Sequence, residues 1–358
     1  MKKKIVPILM LFLFSLITVF FLYFTSDKKS YKPHPFERSF PKRPVLERSG
    51  QIDTKYNTYY IAGFTASDIY LGNTTAPLHV LKINFALRDT QHIQIRKPKE
   101  TQLKASQLAI DSPYVYISDL HLHKHFRGTL LDFSIKPVAT QQAFLAEAVP
   151  MNNTSFAIRT WKDSARELVL AKQTNYRPYL KKAPEILEKQ VDGVFCTDGM
   201  LHYNRELERL IYVYFYRNQF ICMDTSLNVI FRENTIDTVS QTQIELAKVK
   251  SNESITTSAP PLITNGISCT SSNLLLINSK LLSQNEEPDL FHANSVIDVY
   301  DLTRHGNYLF SFYLPAFRKN KMRTFKVFRN KLVAIYDHYI AIFDLPDEFG
   351  QQTIGSPM

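Results

Sequence analysis

The 358-residue chain holds only ten glycines, three cysteines and one tryptophan, and each scarcity closes a route. The phosphate-cradling patterns GxGxxG and GxxxxGK[ST] do not occur, so a nucleotide site has no signal. A GxSxG elbow is also missing, which removes one familiar footing for a serine nucleophile. Cys196, Cys222 and Cys269 are odd in number and form no CxxC pair, leaving no metal or redox spacing. Cys196 in VFCTDG and Cys269 in ISCTSS read as small buried hydrophobes at matching places in two repeats. A Cys196–Cys222 cross-link stays open should the compartment be oxidising.

Charge is scarce where a nucleic-acid binder would need it. The formal charge is +10, but residues 1–50 hold ten Lys/Arg against Asp27, Glu37 and Glu47, so +7 of it sits in the first fifty residues. A nucleic-acid footprint requires a basic face on the folded body. No nucleic-acid partner is expected.

Hydrophobic residues make up 44% and aromatic residues 13% of the chain, a strand-rich globular composition. Residues 193–238 supply the pattern. Apolar runs at 194–197, 209–216, 219–223 and 229–232 are broken by Asp-Gly, Arg-Asn and Asp-to-Asn clusters, the signature of short strands joined by turns. In the second run Ile211, Val213 and Phe215 share one face while Tyr212, Tyr214 and Tyr216 share the other. A strand apolar on both faces must be covered on both, and a propeller blade stacked between two neighbours provides that cover.

Similar grammar recurs with onsets near residues 58, 108, 155, 193, 266 and 323, intervals of about 40 to 70 residues against about 40–50 for a blade without insertions. The sixth repeat offers three strands, and residues 44–53 lie where a closing strand from the other chain end would be borrowed. The expectation is an all-β, six-bladed β-propeller of four-stranded antiparallel blades over residues 51–347. Residues 184–190 (PEILEKQ) read as a short helix, 238–261 as a long polar connection and 284–294 as a polar insertion.

Ahead of this body, residues 5–24 run without a charge after Lys2, Lys3 and Lys4. Twenty residues at about 1.5 Å each match a hydrocarbon core of about 30 Å. The run exceeds a typical signal-peptide core and lacks an Ala-x-Ala site. An uncleaved signal anchor over residues 1–26 is expected, with a cleaved signal as the alternative. Residues 27–50, with Pro33, Pro35, Pro41 and Pro44 among charges, read as an extended tether, and 348–358 as a tail.

Residues 190–193 (QVDG) through 234–237 (NTID), 258–261 (SAPP) and 296–302 (VIDVYDL) with 308–314 resemble a family of membrane-anchored, β-propeller-like envelope proteins of Bacteroidetes. The resemblance runs from the apolar N-terminus to the last strand. It implies bacterial origin and propeller architecture, while the uncharged run behind a basic N-terminus leads to the expectation of a single-pass inner-membrane protein with its C-terminal domain in the periplasm. It carries no catalytic residue across.

Two constellations bear on function. In DLHLHKH, a strand would place His121, His123 and His125 on one face beside Arg127, and converging imidazoles bind zinc or copper. A solvated turn explains the same residues. Asp68, Asp111, Asp198 and Asn273 fall at first-strand ends of four repeats and could face a propeller channel, although Asp and Asn are also favoured turn residues. No cofactor is expected. The leading reading is a non-enzymatic binding or scaffold module presenting a propeller face to an envelope protein or ligand. The alternative is a metal-dependent hydrolase or lactonase at the channel mouth.

Overall fold

The computed structural model describes residues 2–25, 32–42, 45–163, 167–249 and 254–346. The expected tail at 348–358 and parts of the expected tether lie outside the described residues. The chain divides into two units, Met1–Pro33 and His34–Met358.

The first unit contains α1 (Lys2–Thr25). Its large apolar side chains from Leu9 to Phe24 are exposed, so no side of it is shielded within its own unit. Among the described residues no helix is long and apolar enough to cross a membrane. The side chains of residues 2–6 and 8, where the uncharged run begins, lie outside the described set.

The second unit is built from strands. In chain order they are β1 (Glu47–Asp53); then β2 (Tyr59–Phe64), β3 (Asp68–Asn73), β4 (His79–Asn84) and β5 (Thr90–Gln94) in a first sheet; and β6 (Ser106–Asp111), β7 (Tyr114–Asp119), β8 (Lys124–Thr129) and β9 (Lys136–Pro137) in a second. A third sheet holds β10 (Glu147–Pro150), β11 (Ser155–Trp161), β12 (Leu168–Thr174) and β13 (Leu180–Ala183). A fourth holds β14 (Gly199–Asn204), β15 (Arg209–Tyr214), β16 (Gln219–Asp224) and β17 (Val229–Asn234). A hairpin, β18 (Leu246–Val249) and β19 (Ser254–Thr257), precedes the fifth sheet of β20 (Asn265–Ser271), β21 (Leu274–Ser279), β22 (Ser295–Asp301) and β23 (Asn307–Leu314). The last strands, β24 (Thr324–Phe328), β25 (Lys331–Tyr336) and β26 (Tyr339–Asp344), take β1 as their fourth member, in the order β1-β26-β25-β24. The closing strand therefore comes from the region where it was expected.

Within each sheet neighbouring strands run antiparallel, the first five sheets as meanders and the last with β1 added beside β26. The first two are joined into one eight-stranded array by a brief parallel contact of β2 with β6, Gly63 opposite Ile110 and Phe64 opposite Asp111. Gly63 permits that approach, because a Cβ there would stand 2.1 Å from the carbonyl oxygen of Ile110.

The core is a series of apolar layers between successive sheets. Ile211 and Val213 of β15 pack with Leu275 and Ile277 of the fifth sheet, while Leu210, Tyr212 and Tyr214 pack with Leu170 and Ala183 of the third. The two apolar faces read from this strand are thus both buried. Phe215 and Tyr216 lie beyond the strand and are half-buried. The last layer joins the chain's ends, with Val333, Ile335, Ile340 and Ile342 packed on Ile61, Ile69, Leu71 and Ile83.

Several local expectations require correction. Residues 194–197 are not the first strand of the fourth sheet; β14 at Gly199–Asn204 is. The Asp192 carboxylate accepts from the N–H groups of Val194, Phe195 and Cys196 at 3.3, 3.0 and 2.7 Å, a turn that competes with strand pairing. Cys196 therefore does not match Cys269, which lies on β20. All three cysteines are buried and free, so the Cys196–Cys222 cross-link is not formed. The third sheet starts at Glu147, ahead of the expected onset at 155.

Residues 184–190 are turns, not a helix. Seven residues nucleate poorly, and tertiary partners claim the backbone: the Tyr214 hydroxyl accepts from Glu188 N–H, and Arg232 and Arg217 donate to the carbonyls of Ile186 and Glu188. The connection at 238–261 contains the β18–β19 hairpin. The insertion at 284–294 contains a short helix, α2 (Pro288–Ala293), with Pro at its start.

The largest difference concerns the tether. Residues 34–40 dock on the fifth sheet as a strap. His34 N–H donates to Leu282 O at 2.8 Å, Gln284 N–H donates to Phe36 O at 3.0 Å, and Ser311 N–H donates to Ser39 O at 2.8 Å. Phe36 packs with Val239 and Leu281, and Phe40 stacks on Tyr313 with centroids 5.0 Å apart. Arg38 is buried; its guanidinium donates to both Asp298 oxygens at 2.8 and 3.2 Å and pairs with Glu286. Burial alone would lower the Arg38 pKa, and the two carboxylates raise it well above its ordinary value. Proline and charge concealed this docking, because one buried ring, one half-buried ring and one paired cation sufficed to order a short segment.

Candidate functional site: the central cavity

The first strand of every sheet borders a cavity of about 880 Å³, lined by residues 60–64 of β2, 106–111 of β6, 148–150 of β10, 201–204 of β14, 269–271 of β20 and 326–328 of β24. Its charged lining consists of Lys104, Asp111, Arg205, Glu206 and Lys326. Arg205, just past β14, pairs with Asp111 at the end of β6 and donates to Ser112 O at 3.1 Å. This contact joins the fourth sheet to the second without passing through the third. Asp111 feels two opposing influences: burial raises its pKa more than Arg205 lowers it, so the net shift is upward.

Of the four residues expected at the channel, Asp111 alone lines this cavity. Asp68 begins β3, accepting from Ser67 Oγ at 2.7 Å and pairing with Lys82 at 3.3 Å. Asn273 lies in the β20–β21 turn and donates to Asp301 at 3.2 Å. Asp198 precedes β14 instead of ending a strand, a consequence of the register difference above, and pairs with Arg159.

Arg159 also stands 3.9 Å from Glu147, whose other oxygen accepts from Leu201 N–H at 3.0 Å. Burial pushes the Glu147 carboxyl up to about 7 despite Arg159. The hydroxyl of Tyr212 donates to Thr197 O at 2.6 Å in the same cluster. These groups tie the third sheet to the fourth.

The histidines do not converge. His121 and His123 occupy the turn between β7 and β8, and only His125 stands on a strand. His121 Nε2 lies 3.3 Å from Lys104 Nζ. His123, at φ +55°, accepts from Leu145 N–H at 3.3 Å through Nδ1. His125 is fully buried, stacked on Phe156 at 3.9 Å, with Ser118 Oγ and Gln173 Oε1 each 2.8 Å from its two nitrogens. Burial pushes its pKa down to about 4 although Gln173 opposes the shift. The turn itself is shaped by Asp119: burial would raise its pKa, but the N–H groups of Leu122, Lys104 and His121 and the Ser106 hydroxyl lower it. Arg127 donates to Asn153 O and lies over the Tyr114 ring at 5.6 Å. Among the described residues no group of three His, Cys, Asp or Glu side chains could hold a metal ion.

Sequence reasoning missed His202 and Lys326. His202 Nε2 is 2.7 Å from Ser268 Oγ, joining the fourth sheet to the fifth. Burial, with a smaller contribution from Lys326, pushes its pKa down to about 4. Burial also lowers the pKa of Lys326. An available signal was a polar residue inside an otherwise apolar first strand, as in MLHY and FKVF. Misplacing the first strand of the fourth repeat hid the former.

Sheets packed in succession around a cavity that each borders with its first strand define a propeller-like all-β protein. Comparison of the sequence with protein-family profiles and with curated proteins returns no match. Among solved structures, a member of the DUF4221 family from Bacteroides vulgatus is similar with a TM-score of 0.51 at 12% identity, over 87% of this chain and 98% of that one. A catalytically inactive virginiamycin B lyase from Staphylococcus aureus, with quinupristin, gives 0.48 at 10% identity, covering 83% and 98%. BamB from Moraxella catarrhalis gives 0.39 at 10%, covering 86% and 96%. The first likeness supports the fold alone. It agrees at that level with a propeller-like family having members in Bacteroides.

Proposed function

We propose that this chain is a six-bladed propeller of the bacterial envelope, held at the inner membrane by residues 1–26 with its body in the periplasm, and that it binds or scaffolds a protein partner without catalysing a reaction. The observation that carries the reading is the commitment of polar side chains to contacts that tie one sheet to another. Arg205 with Asp111 links the fourth sheet to the second, Arg159 with Asp198 links the third to the fourth, and His125 with Gln173 links the second to the third. A rigid scaffold of this kind places specificity in the irregular segments it carries: the His121 to His123 turn, the β18–β19 hairpin and α2.

The count of six rests on six four-stranded antiparallel groups among the described residues, with the last packed on the first. The anchor rests on the uncharged run at residues 5–24. Membrane fractionation with N-terminal sequencing tests it; the expected result is an integral protein that keeps its leading residues, and a soluble protein starting near residue 26 or later overturns it. Photo-crosslinking in intact cells from Leu131, which is 95% exposed, and from the hairpin tests the partner. The expected result is a discrete cross-linked envelope protein from at least one of these positions. No adduct from any site, together with a stoichiometric divalent ion in the purified protein, would favour the hydrolase reading.

A further inference from the structure

Among the described residues Lys326 is a cavity cation with no ion pair. Of the three basic side chains in the lining, Arg205 is paired with Asp111 and Lys104 contacts His121. Lys326 makes no ion pair and no side-chain hydrogen bond among the described residues. Its nearest electrostatic neighbours are His202 and the Cys269 thiol. The imidazole is neutral at pH 7, and burial pushes the thiol up to about 12, so it is neutral too. An ammonium withdrawn from bulk water without a partner is costly, and an anion in the cavity relieves that cost.

The wall beside this ammonium is apolar. Phe328 lies two residues along β24 and therefore on the same strand face. It stacks with Phe64 at 5.3 Å and with Phe85 at 6.0 Å. The hydroxyl-bearing Thr270 and Ser271 line the cavity as well. A volume of about 880 Å³ falls in the range of about 300–1,000 Å³ typical of small-ligand sites, which combine an apolar lining with a few fixed polar groups.

We propose that the central cavity binds an organic monoanion, an aromatic or alkyl carboxylate, with its head group on the Lys326 ammonium and its apolar body along the Phe64 and Phe328 wall. The site is separate from the partner-binding face proposed above, and neither depends on the other.

Equilibrium dialysis of the purified full-length chain against 1-naphthoate, with neutral 1-naphthalenemethanol in parallel, tests it. Wild type should bind one naphthoate per chain at least about tenfold more tightly than the alcohol, the strength of a charge-assisted contact. Lys326→Met should bring naphthoate down to the affinity of the alcohol and leave the alcohol unchanged, while Lys326→Arg should stay within about threefold of wild type because the positive charge remains. Failure of wild type to bind naphthoate, equal affinity for acid and alcohol, or undiminished binding by Lys326→Met overturns the proposal. Should Lys326→Met fail to fold, reductive methylation of wild type with mass-spectrometric mapping decides. Naphthoate should protect Lys326 and leave the exposed lysines reactive; equal labelling with and without naphthoate overturns the site.

Discussion

Three titratable side chains give the protein an unusual acid response. His125 and His202 sit near 4 when folded, against 6.5 for free imidazole. Their contribution to stability is complete above pH 6.5 and is lost as the pH falls toward 4. Glu147 acts in the opposite sense: its carboxyl, raised from 4.5 to about 7, favours the folded state below pH 4.5 and loses that contribution as the pH rises through 7. Glu147→Gln retains an acceptor for Leu201 N–H and removes the titration. Urea unfolding as a function of pH should show the variant gaining on wild type between pH 4.5 and 7 by up to a few kcal/mol, at about 1.4 kcal/mol for each tenfold difference in proton affinity between the folded and unfolded chains. A difference independent of pH would mean that the Glu147 carboxyl binds its proton equally in the folded and unfolded chains. Arg38 offers a second measurement. Arg38→Met leaves Glu286 and Asp298 buried without their cation, and the loss should be about 3–5 kcal/mol in urea unfolding; a loss under about 1 kcal/mol would mean that the strap is wet.

At the scale of elements, β15 is the strand that most depends on its neighbours. Val213→Asp places a carboxylate between the fourth and fifth sheets, beside Phe220 and Leu275, and should cost several kcal/mol or prevent folding. Phe215, just past the strand end, should tolerate the same change far better; equal thermal shifts in the two variants would contradict the layer arrangement. Removal of the β18–β19 hairpin, leaving the buried Thr242 and Ile244, should move stability by no more than about 0.5 kcal/mol, since the segment adds no layer to the core. Strand identity was legible in β15, β16, β22 and β25 because Val, Ile, Tyr and Phe repeat there between turn residues. The edge strands were harder. Short or irregular ones such as Glu147–Pro150 and Lys136–Pro137 carry little apolar pattern, since one side of their ladder meets solvent or the cavity. The strap was illegible for a related reason: its contacts are with residues more than two hundred positions away.

For the whole molecule, the repeat and the borrowed closing strand were readable because a two-faced strand needs a neighbour on each side, and only closure supplies one for the first and last sheets. The cavity was readable in outline alone. Turn chemistry and channel chemistry use the same residues, so Asp68 and Asn273 could be told from Asp111 only by register. Deleting residues 1–53 removes both strap and β1 and bares the edge of β26; that truncation should aggregate on gel filtration. A protein beginning at His34 should fold and stay free of aggregate. Aggregation of both would mean that the leading unit contributes to the solubility of the body.

The docking of residues 34–40 has a mechanical consequence. The chain enters the folded body at His34, is held first on the fifth sheet by Arg38, and is then held on the sixth by β1. A pull applied at residue 33 would meet these two holds in series. The first is a few scattered contacts: a parallel bridge of His34 with Ser283, single backbone bonds at Phe36 and Ser39, and one ionic clamp. The second lies antiparallel along β26 from Glu47 to Asp53, with hydrogen bonds perpendicular to the strand, so a load along β1 shears many bonds together. The strap works as a fuse ahead of a lock: under tension it should yield first and lengthen the connection by its own residues while the ring stays shut.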